Sequence, residues 1–179
     1  INYPNKKMRY IIVIDFHEYL LPNGDWGIKE WSLSRISPNT PVESQTRVTR
    51  PPLPWDELES CYKNYYNKIV QLYGVKWRTG DVTLDGTKRH LIELLSKASL
   101  VYTRSANKKY ILIKFLNTSL NIKPLDTKSD YHQGVEPPID CRFHIKAIKK
   151  YCAAETVRKM LYYLKIRATK LSRMRINSD

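Results

Sequence analysis

The chain lacks the features that mark membrane and secreted proteins. It has no apolar run approaching the roughly 18 residues that predict a membrane-spanning helix, and no signal peptide with a charged start and a small-residue cleavage site. Its three cysteines, Cys61, Cys141 and Cys152, are too few and odd in number for a disulfide framework. Cys61 falls on an apolar face of a predicted helix, where we expect it in the core. We therefore expect an intracellular protein, cytoplasmic and/or nuclear, that is not secreted.

Acidic residues are also scarce. The 17 Asp and Glu stand against 31 Lys and Arg, for a formal net charge of +14, and residues 142–175 carry eleven Lys or Arg and one acid, Glu155. Such a field attracts polyanions, meaning nucleic acid or an anionic membrane surface, although a solvated helix face is the alternative. We favour single-stranded nucleic acid and no membrane partner, because Tyr (13) and Trp (4), which can stack on unpaired bases, are plentiful.

The chain contains no internal repeat, low-complexity tract or shift in composition that would divide it. A length of 179 residues with a hydrophobic fraction of 42% suits one globular domain with a substantial core, over residues 1–179. Because the first residue is Ile rather than Met, we expect this domain to be excised from a longer protein.

Hydrophobic periodicity predicts three strands followed by alternating helices and strands. "RYIIVIDF" (9–16) is typical of a buried strand that delivers Asp15 at its end, and after a turn "IKEWSLSRI" (28–36) should pair with it as a hairpin. This order predicts an α/β fold, a mixed sheet with antiparallel first strands flanked by helices. The remaining predictions are a third strand at 41–50, helices at 55–73, 83–96 and 107–116, strands at 98–103 and 120–125, and a final helix from about Ala154 to Leu171.

Several segments together resemble the ribonuclease H-like exonucleases of the DEDD class. "IIVIDF" is similar to their first strand, which carries the first catalytic Asp, and "IKEWSL" is similar to their second. "YGVKWRTGD" resembles the connection that leaves their first helix. "LIELLSKASLVYTRSANKKYILIKFL" resembles the helix–strand–helix unit before the second half of their site. The resemblance covers nearly the whole chain and implies a ribonuclease H-like fold.

The carboxylates that this class needs are mostly replaced in this chain. Its chemistry uses four carboxylates from separate elements to hold two metal ions. Asp15 fits the first position, but His17 stands where a Glu should follow. Lys108 and Lys109 stand where an Asp is wanted, and Thr156 falls where the last carboxylate should be. We therefore expect no two-metal hydrolysis by this set.

A second set of residues has the spacing of a metal site. The segment "CRFHIKAIKKYCA" contains Cys141-x2-His144-x7-Cys152 followed by Ala, and Glu30 lies far upstream on the second predicted strand. This pattern resembles the Glu-Cys-His-Cys signature of the Maelstrom domain, a branch of the superfamily that lost the exonuclease carboxylates and belongs to the small-RNA (piRNA) pathway. The resemblance implies a structural zinc ion with four ligands, Glu30, Cys141, His144 and Cys152.

The chemistry of these side chains supports the same interpretation. Zinc prefers thiolate and imidazole ligands in a tetrahedron and accepts a carboxylate. Cys141 and His144 can reach one ion from a single tight turn, and Cys152 precedes the last helix, whose N-terminus favours a thiolate. A closed site of this kind is structural rather than catalytic. His132 and Asp140 are rival fourth ligands, and without a metal the cysteines would be small buried hydrophobes.

These features lead to two functional hypotheses. The first is single-stranded RNA binding on a degenerate exonuclease fold in small-RNA silencing. The second, implied by the Maelstrom resemblance, is an active single-strand-specific endoribonuclease, with Asp15 and His17 as catalytic candidates and His17 as general base. A protein-interaction scaffold is a weaker alternative, and a virus- or transposon-encoded origin stays open. The residues expected to contact phosphates are Lys108, Lys109, Lys146, Lys149, Lys150, Arg158, Lys159, Lys165 and Arg167.

Overall fold

A computed structural model of the chain describes residues 10–38, 40–125, 144 and 152–176. Within these ranges six strands form one sheet, with four α-helices around it. In chain order the elements are β1 Ile11–Leu20, β2 Trp26–Ser37, β3 Thr40–Arg50, α1 Ser60–Tyr73, β4 Val82–Thr83, α2 Leu84–Ser96, β5 Leu100–Thr103, α3 Ala106–Leu116, β6 Ile122–Pro124 and α4 Ala153–Ile176.

The sheet has the strand order β4-β3-β2-β1-β5-β6. Strands β1, β2 and β3 are antiparallel neighbours, whereas β5 is parallel to β1 and β6 is parallel to β5. The predicted mixed sheet with antiparallel first strands, flanked by helices, is therefore confirmed. The sequence did not predict β4, whose two residues pair with the end of β3, because a strand that short has no periodicity to read.

The predicted helix at 55–73 is interrupted near its start. A short 3-10 helix at Trp55–Glu57 is followed by two extended residues, so that α1 begins only at Ser60. Cys61 therefore lies in the first turn of α1, where it is exposed. The prediction that Cys61 belongs to the core is wrong. The buried residue of α1 is Tyr66.

The two faces of β1 have different environments. Ile12, Ile14 and Phe16 pack into the main core with apolar residues of α2 and α3. On the other face Val13 packs against α4, and because side chains alternate along a strand, Asp15 follows it on that face. The side of the sheet under α4 therefore carries the polar residues expected to act in the site.

A β-bulge changes the register between β1 and β2. His17 lies opposite Glu30, but the next residue, Glu18, lies opposite Ile28, so Lys29 is the extra residue. Both Lys29 and Glu30 are buried, at 2% and 0% exposure. The bulge thus places two consecutive charged residues in the interior, while Ile28 and Trp31 on either side of them both pack into the main core.

The buried Lys29 is satisfied by main-chain oxygens. Its Nζ donates to the carbonyl groups of Thr49 at 3.0 Å and Trp77 at 2.7 Å, and also to that of Thr79. An ammonium group has three N–H donors, so three carbonyl acceptors saturate it. These bonds fasten the 77–79 loop to β3 beside the strand that carries Glu30.

Among the described residues, no helix is both long enough and apolar enough to cross a membrane.

Candidate functional site

Three of the four predicted metal ligands meet beneath α4. Glu30 is fully buried on β2, His144 Nε2 lies 2.9 Å from Glu30 Oε1, and Cys152 Sγ lies 3.8 Å from the same oxygen. The ligand atoms of these three side chains all lie within 4.8 Å of one another. Glu30 lies 114 positions before His144 in the sequence, so the fold brings it to the other two residues. The fourth predicted ligand, Cys141, lies outside the described residues.

The surroundings of His144 favour a cation at its Nε2. The ring Nδ1 donates to the carbonyl of Tyr73 at 2.5 Å, while Nε2 faces Glu30 Oε1. A neutral imidazole has one N–H donor, so it cannot donate to both oxygens. The contact at Nε2 therefore requires either a second proton or a metal ion between Nε2 and the carboxylate. A His ligand that donates its other nitrogen to a backbone carbonyl is common at metal sites.

The end of α1 makes this contact possible. The last carbonyl groups of a helix have no donor within the helix. Helix α1 ends at Tyr73 because Gly74 adopts a left-handed conformation (φ 70°), which residues other than glycine rarely adopt. The carbonyl of Tyr73 can therefore accept the Nδ1–H of His144.

Cys152 sits where a helix stabilises negative charge. It is 1% exposed, it immediately precedes α4, and its carbonyl accepts the N–H of Thr156 at 3.0 Å. The partial positive charge of a helix N-terminus favours a thiolate over a thiol. A carboxylate, an imidazole and a thiol converging in a buried site are suitable ligands for a metal ion.

His17 was predicted as a catalytic residue, and the structure places it beside the metal-ligand group. Its Nε2 lies 3.3 Å from Glu30 Oε2, and its ring packs edge-on against Tyr73 with centroids 3.9 Å apart. The side chain is 4% exposed. Burial, reinforced by the nearby charge of Lys108, lowers the pKa of His17 well below its usual value and keeps the ring neutral.

The two acids nearest the expected exonuclease site are each paired with a base. Asp15 is 1% exposed, and Arg104 Nε approaches its Oδ1 at 3.8 Å. Glu18 forms an ion pair with Lys108, whose ammonium also donates to the carbonyl of Phe16 and lies over the Phe16 ring. Burial raises the pKa of Asp15, and the charge of Lys108 opposes that rise. The chain's own cations therefore occupy the surroundings of these carboxylates.

Sequence reasoning did not single out Arg104. It directly follows β5, which runs parallel to β1, and the carboxyl ends of parallel neighbours share one edge of a sheet. That rule, applied to β1 and β5, would have placed Arg104 near Asp15.

The basic residues predicted to bind phosphates differ in their exposure and in their ion pairs. Lys165 and Arg167 are exposed on α4, and Lys109 is half-buried on α3. Arg158 and Lys159 contact Glu155 at 2.8 and 3.6 Å. Lys108 is buried at 4% exposure and ion-paired, so we correct its assignment and leave it out of the nucleic-acid surface. Lys146, Lys149 and Lys150 lie outside the described residues.

Comparison with solved structures places the fold. E. coli Exonuclease I, crystallised with a 5cy-dA13 oligonucleotide, is similar over 86% of this chain and 39% of its own, at 11% identity and a TM-score of 0.52. The chain has a ribonuclease H-like fold, similar to that of Exonuclease I. A full-length 3'-exonuclease is also similar, over 61% of this chain and 52% of its own, at 16% identity and a TM-score of 0.40. The chain thus spans about half or less of the length of either protein. No protein-family model and no curated protein matches it, so the likeness is one of fold.

Proposed function

We propose that this protein binds single-stranded RNA on an exonuclease-like fold that has lost its carboxylate site. The observation that carries the proposal is the pairing of the remaining acids, Asp15 with Arg104 and Glu18 with Lys108. On this proposal the chain keeps the shape of a fold that can bind a strand, while its own cations pair with these carboxylates. The net charge of +14 supplies the attraction for phosphates.

The same pairing favours binding over hydrolysis. A pair of metal ions needs several carboxylates open to them, and a divalent ion next to Glu18 would have to displace the ammonium of Lys108. Burial of Asp15 and His17 to 1% and 4% exposure also favours binding over the endoribonuclease alternative, because a catalytic base has to reach its substrate.

Helix α4 offers the described part of the proposed RNA surface. Lys165 and Arg167 are exposed on it, and Tyr162 is 36% exposed on the same helix. Basic side chains that follow a backbone, next to aromatic rings on which bases stack, are the usual means of binding single strands without sequence preference. Exonuclease I, solved with an oligonucleotide, provides a precedent for strand binding by this kind of fold.

The RNA proposal is tested by anisotropy of a labelled single strand across a salt series. Each phosphate contact contributes about 0.7 to the slope of log affinity against log salt for single strands. The double variant Lys165→Gln/Arg167→Gln should therefore lower the slope by about 1.4. The matched control Lys76→Gln/Lys97→Gln removes two exposed charges elsewhere and should change it little.

Two further measurements define the ligand and the reaction. Single-stranded DNA and double-stranded RNA of the same sequence should bind more weakly than single-stranded RNA. Absence of binding, or binding that does not weaken with salt, contradicts the proposal. Gel analysis of the same RNA tests the endoribonuclease alternative, which requires cleavage by the wild type that His17→Ala abolishes.

We also propose that the ligand group binds zinc, through Glu30, His144, Cys152 and the predicted Cys141, in a structural role. Such an ion would tie the start of α4 to β2. The convergence of an oxygen, a nitrogen and a sulfur ligand within 4.8 Å supports a cation, and the sulfur favours zinc over magnesium or calcium. The ligand pattern resembles that of the Maelstrom domain, and on this resemblance we propose a role in small-RNA (piRNA) silencing.

Metal analysis of the purified protein tests the zinc proposal. We expect about one zinc per chain, retained in Cys61→Ser and lost in Cys152→Ser and Cys141→Ser. Cys61 is the matched control because it is an exposed thiol outside the group. A metal-free wild type, or equal zinc in Cys152→Ser, contradicts the proposal.

A further inference from the structure

The two oxygens of the Glu30 carboxylate face different neighbours. Oε1 points to His144 Nε2 at 2.9 Å and to Cys152 Sγ at 3.8 Å. Oε2 points to His17 Nε2 at 3.3 Å. The carboxylate therefore has one oxygen on the side of the metal-ligand group and one on the side of His17.

We propose that His17 is a positioning residue of the metal centre, which donates Nε2–H to Glu30 Oε2 so that Glu30 binds the cation through Oε1 alone. This inference rests on the proposed zinc site and extends it to a residue outside the ligand set. It also replaces the role of general base that the sequence suggested for His17.

The hydrogen-bonding needs of His17 support this role. Within the described part of the chain neither of its ring nitrogens forms a hydrogen bond to a protein group, although the side chain is 4% exposed. A buried polar nitrogen is costly unless it has a partner, and Glu30 Oε2 lies at the outer edge of hydrogen-bonding distance. A small rotation of the ring would complete the bond.

The backbone brings the two side chains together. His17 and Glu30 are direct partners across β1 and β2, just before the bulge at Lys29. Cross-strand partners present their side chains on the same face of a sheet, a few ångströms apart. Because the register rather than a flexible loop sets this pairing, the orientation of the carboxylate is fixed by the sheet.

Tyr73 links His17 to the ligand His144. Its ring packs against the ring of His17, and its carbonyl accepts the Nδ1–H of His144. Tyr73 thereby restrains two imidazoles, that of His17 beside Oε2 of Glu30 and that of His144, which faces Oε1. Outer partners of this kind typically change metal affinity about ten- to a hundred-fold when removed.

His17 fits an outer position better than a ligand position. The group whose ligand atoms lie within 4.8 Å of one another comprises Glu30, His144 and Cys152 and does not include His17. The ring centroids of His17 and His144 are 6.4 Å apart. Glu30 therefore lies between His17 and the ligand group.

The test is zinc affinity measured by competition with a chelator. His17→Phe keeps a ring in the cavity but removes the donor, and we expect it to weaken zinc binding about ten- to a hundred-fold. His17→Gln places an amide N–H near the position of Nε2 and should restore most of the affinity. His17→Asn is too short to reach Oε2 and serves as a second loss variant if the Phe protein does not fold.

A control and a spectroscopic signature separate positioning from stability. Tyr66→Phe removes a partly buried hydrogen bond to the carbonyl of Leu20, outside the ligand group, and should lower stability without weakening zinc binding. In cobalt-substituted protein the visible absorption bands, which report ligand geometry, should shift in His17→Phe and return in His17→Gln.

The possible outcomes distinguish the two proposals. If the wild type binds no zinc, the metal centre itself is wrong. If Cys152→Ser loses zinc but His17→Phe binds it as tightly as the wild type with unchanged cobalt bands, the positioning role alone is overturned. Equal losses in His17→Phe and His17→Gln, in proportion to lost stability, would also overturn it.

Discussion

Two acidic residues on neighbouring strands meet opposite kinds of partner. Glu18, on β1, faces the ammonium group of Lys108 from α3. Glu30, on β2 and completely buried, faces the imidazoles of His17 and His144 and the thiol of Cys152. Both lie near the bulge, where β1 and β2 change register.

The difference concerns the source of positive charge. At Glu18 the chain supplies its own cation, and the pair is complete once the protein folds. At Glu30 the neighbours described above are groups that bind protons or metal ions, and under the proposed zinc site a cation taken from solution balances the charge of Glu30. A buried carboxylate without such compensation would be strongly unfavourable. Stability should therefore depend on metal at Glu30 and be independent of it at Glu18.

The largest effect is expected from Lys108→Met. Removing one partner of a buried ion pair leaves the other charge uncompensated, which typically costs about 3 to 5 kcal/mol of unfolding free energy. Urea unfolding measures it, and we expect the same loss with and without a chelator. The double variant Lys108→Met/Glu18→Gln should recover most of the loss, because no isolated charge then remains. A loss of unfolding free energy that changes with the chelator would contradict the proposed difference between Glu18 and Glu30.

The next effect is expected from Glu30→Gln, and it should depend on metal. With zinc present the variant loses the stabilisation that binding gives to the native state, about 2 to 4 kcal/mol at zinc concentrations well above the dissociation constant. In excess chelator wild type and variant should differ much less, since neither holds the ion. Equal differences in zinc and in chelator would show that Glu30 acts without a metal.

A smaller effect is expected from Asp15→Asn, and it should depend on pH. Burial raises the pKa of Asp15 above its ordinary value of 3.8, so the native state favours the protonated form. The stability from this group is present below pH 3.8 and is lost as the pH rises through the raised pKa. The free energy of unfolding of the amide variant should therefore rise relative to that of the wild type as the pH increases. Paired urea curves across pH test this, and a gain on acidification would contradict it.

The sequence predicted most of the fold because the necessary signals are local. The apolar run at 9–16 and the alternation at 28–36 identified β1 and β2, and helical spacing identified α2, α3 and α4. The proposed ligands His144 and Cys152 were accessible to sequence reasoning for the same reason, since they lie eight positions apart. The assignment of Cys141 stays a prediction.

The sequence did not predict contacts that depend on register or on distant partners. The position of His17 opposite Glu30 is set by the hairpin and by the bulge at Lys29, neither of which periodicity reveals. Lysine is rarely buried, so Lys108 was taken for a surface residue. Its partner Glu18 lies 90 positions away in the sequence, and only the fold shows the pair.

The smallest effect on stability is expected at Arg104. This residue pairs with the buried Asp15, but its own side chain still faces solvent. Its side chain is 36% exposed, and its Nε is 3.8 Å from Asp15 Oδ1, too far for a hydrogen bond. Of the two cations that lower the pKa of Asp15, Lys108 has the larger effect and Arg104 the smaller. We therefore expect Arg104→Gln to cost less than about 1 kcal/mol, and less still in high salt, where exposed charges are screened. A loss as large as that of Lys108→Met, unaffected by salt, would mean that Arg104 is a second internal cation rather than a surface partner of Asp15.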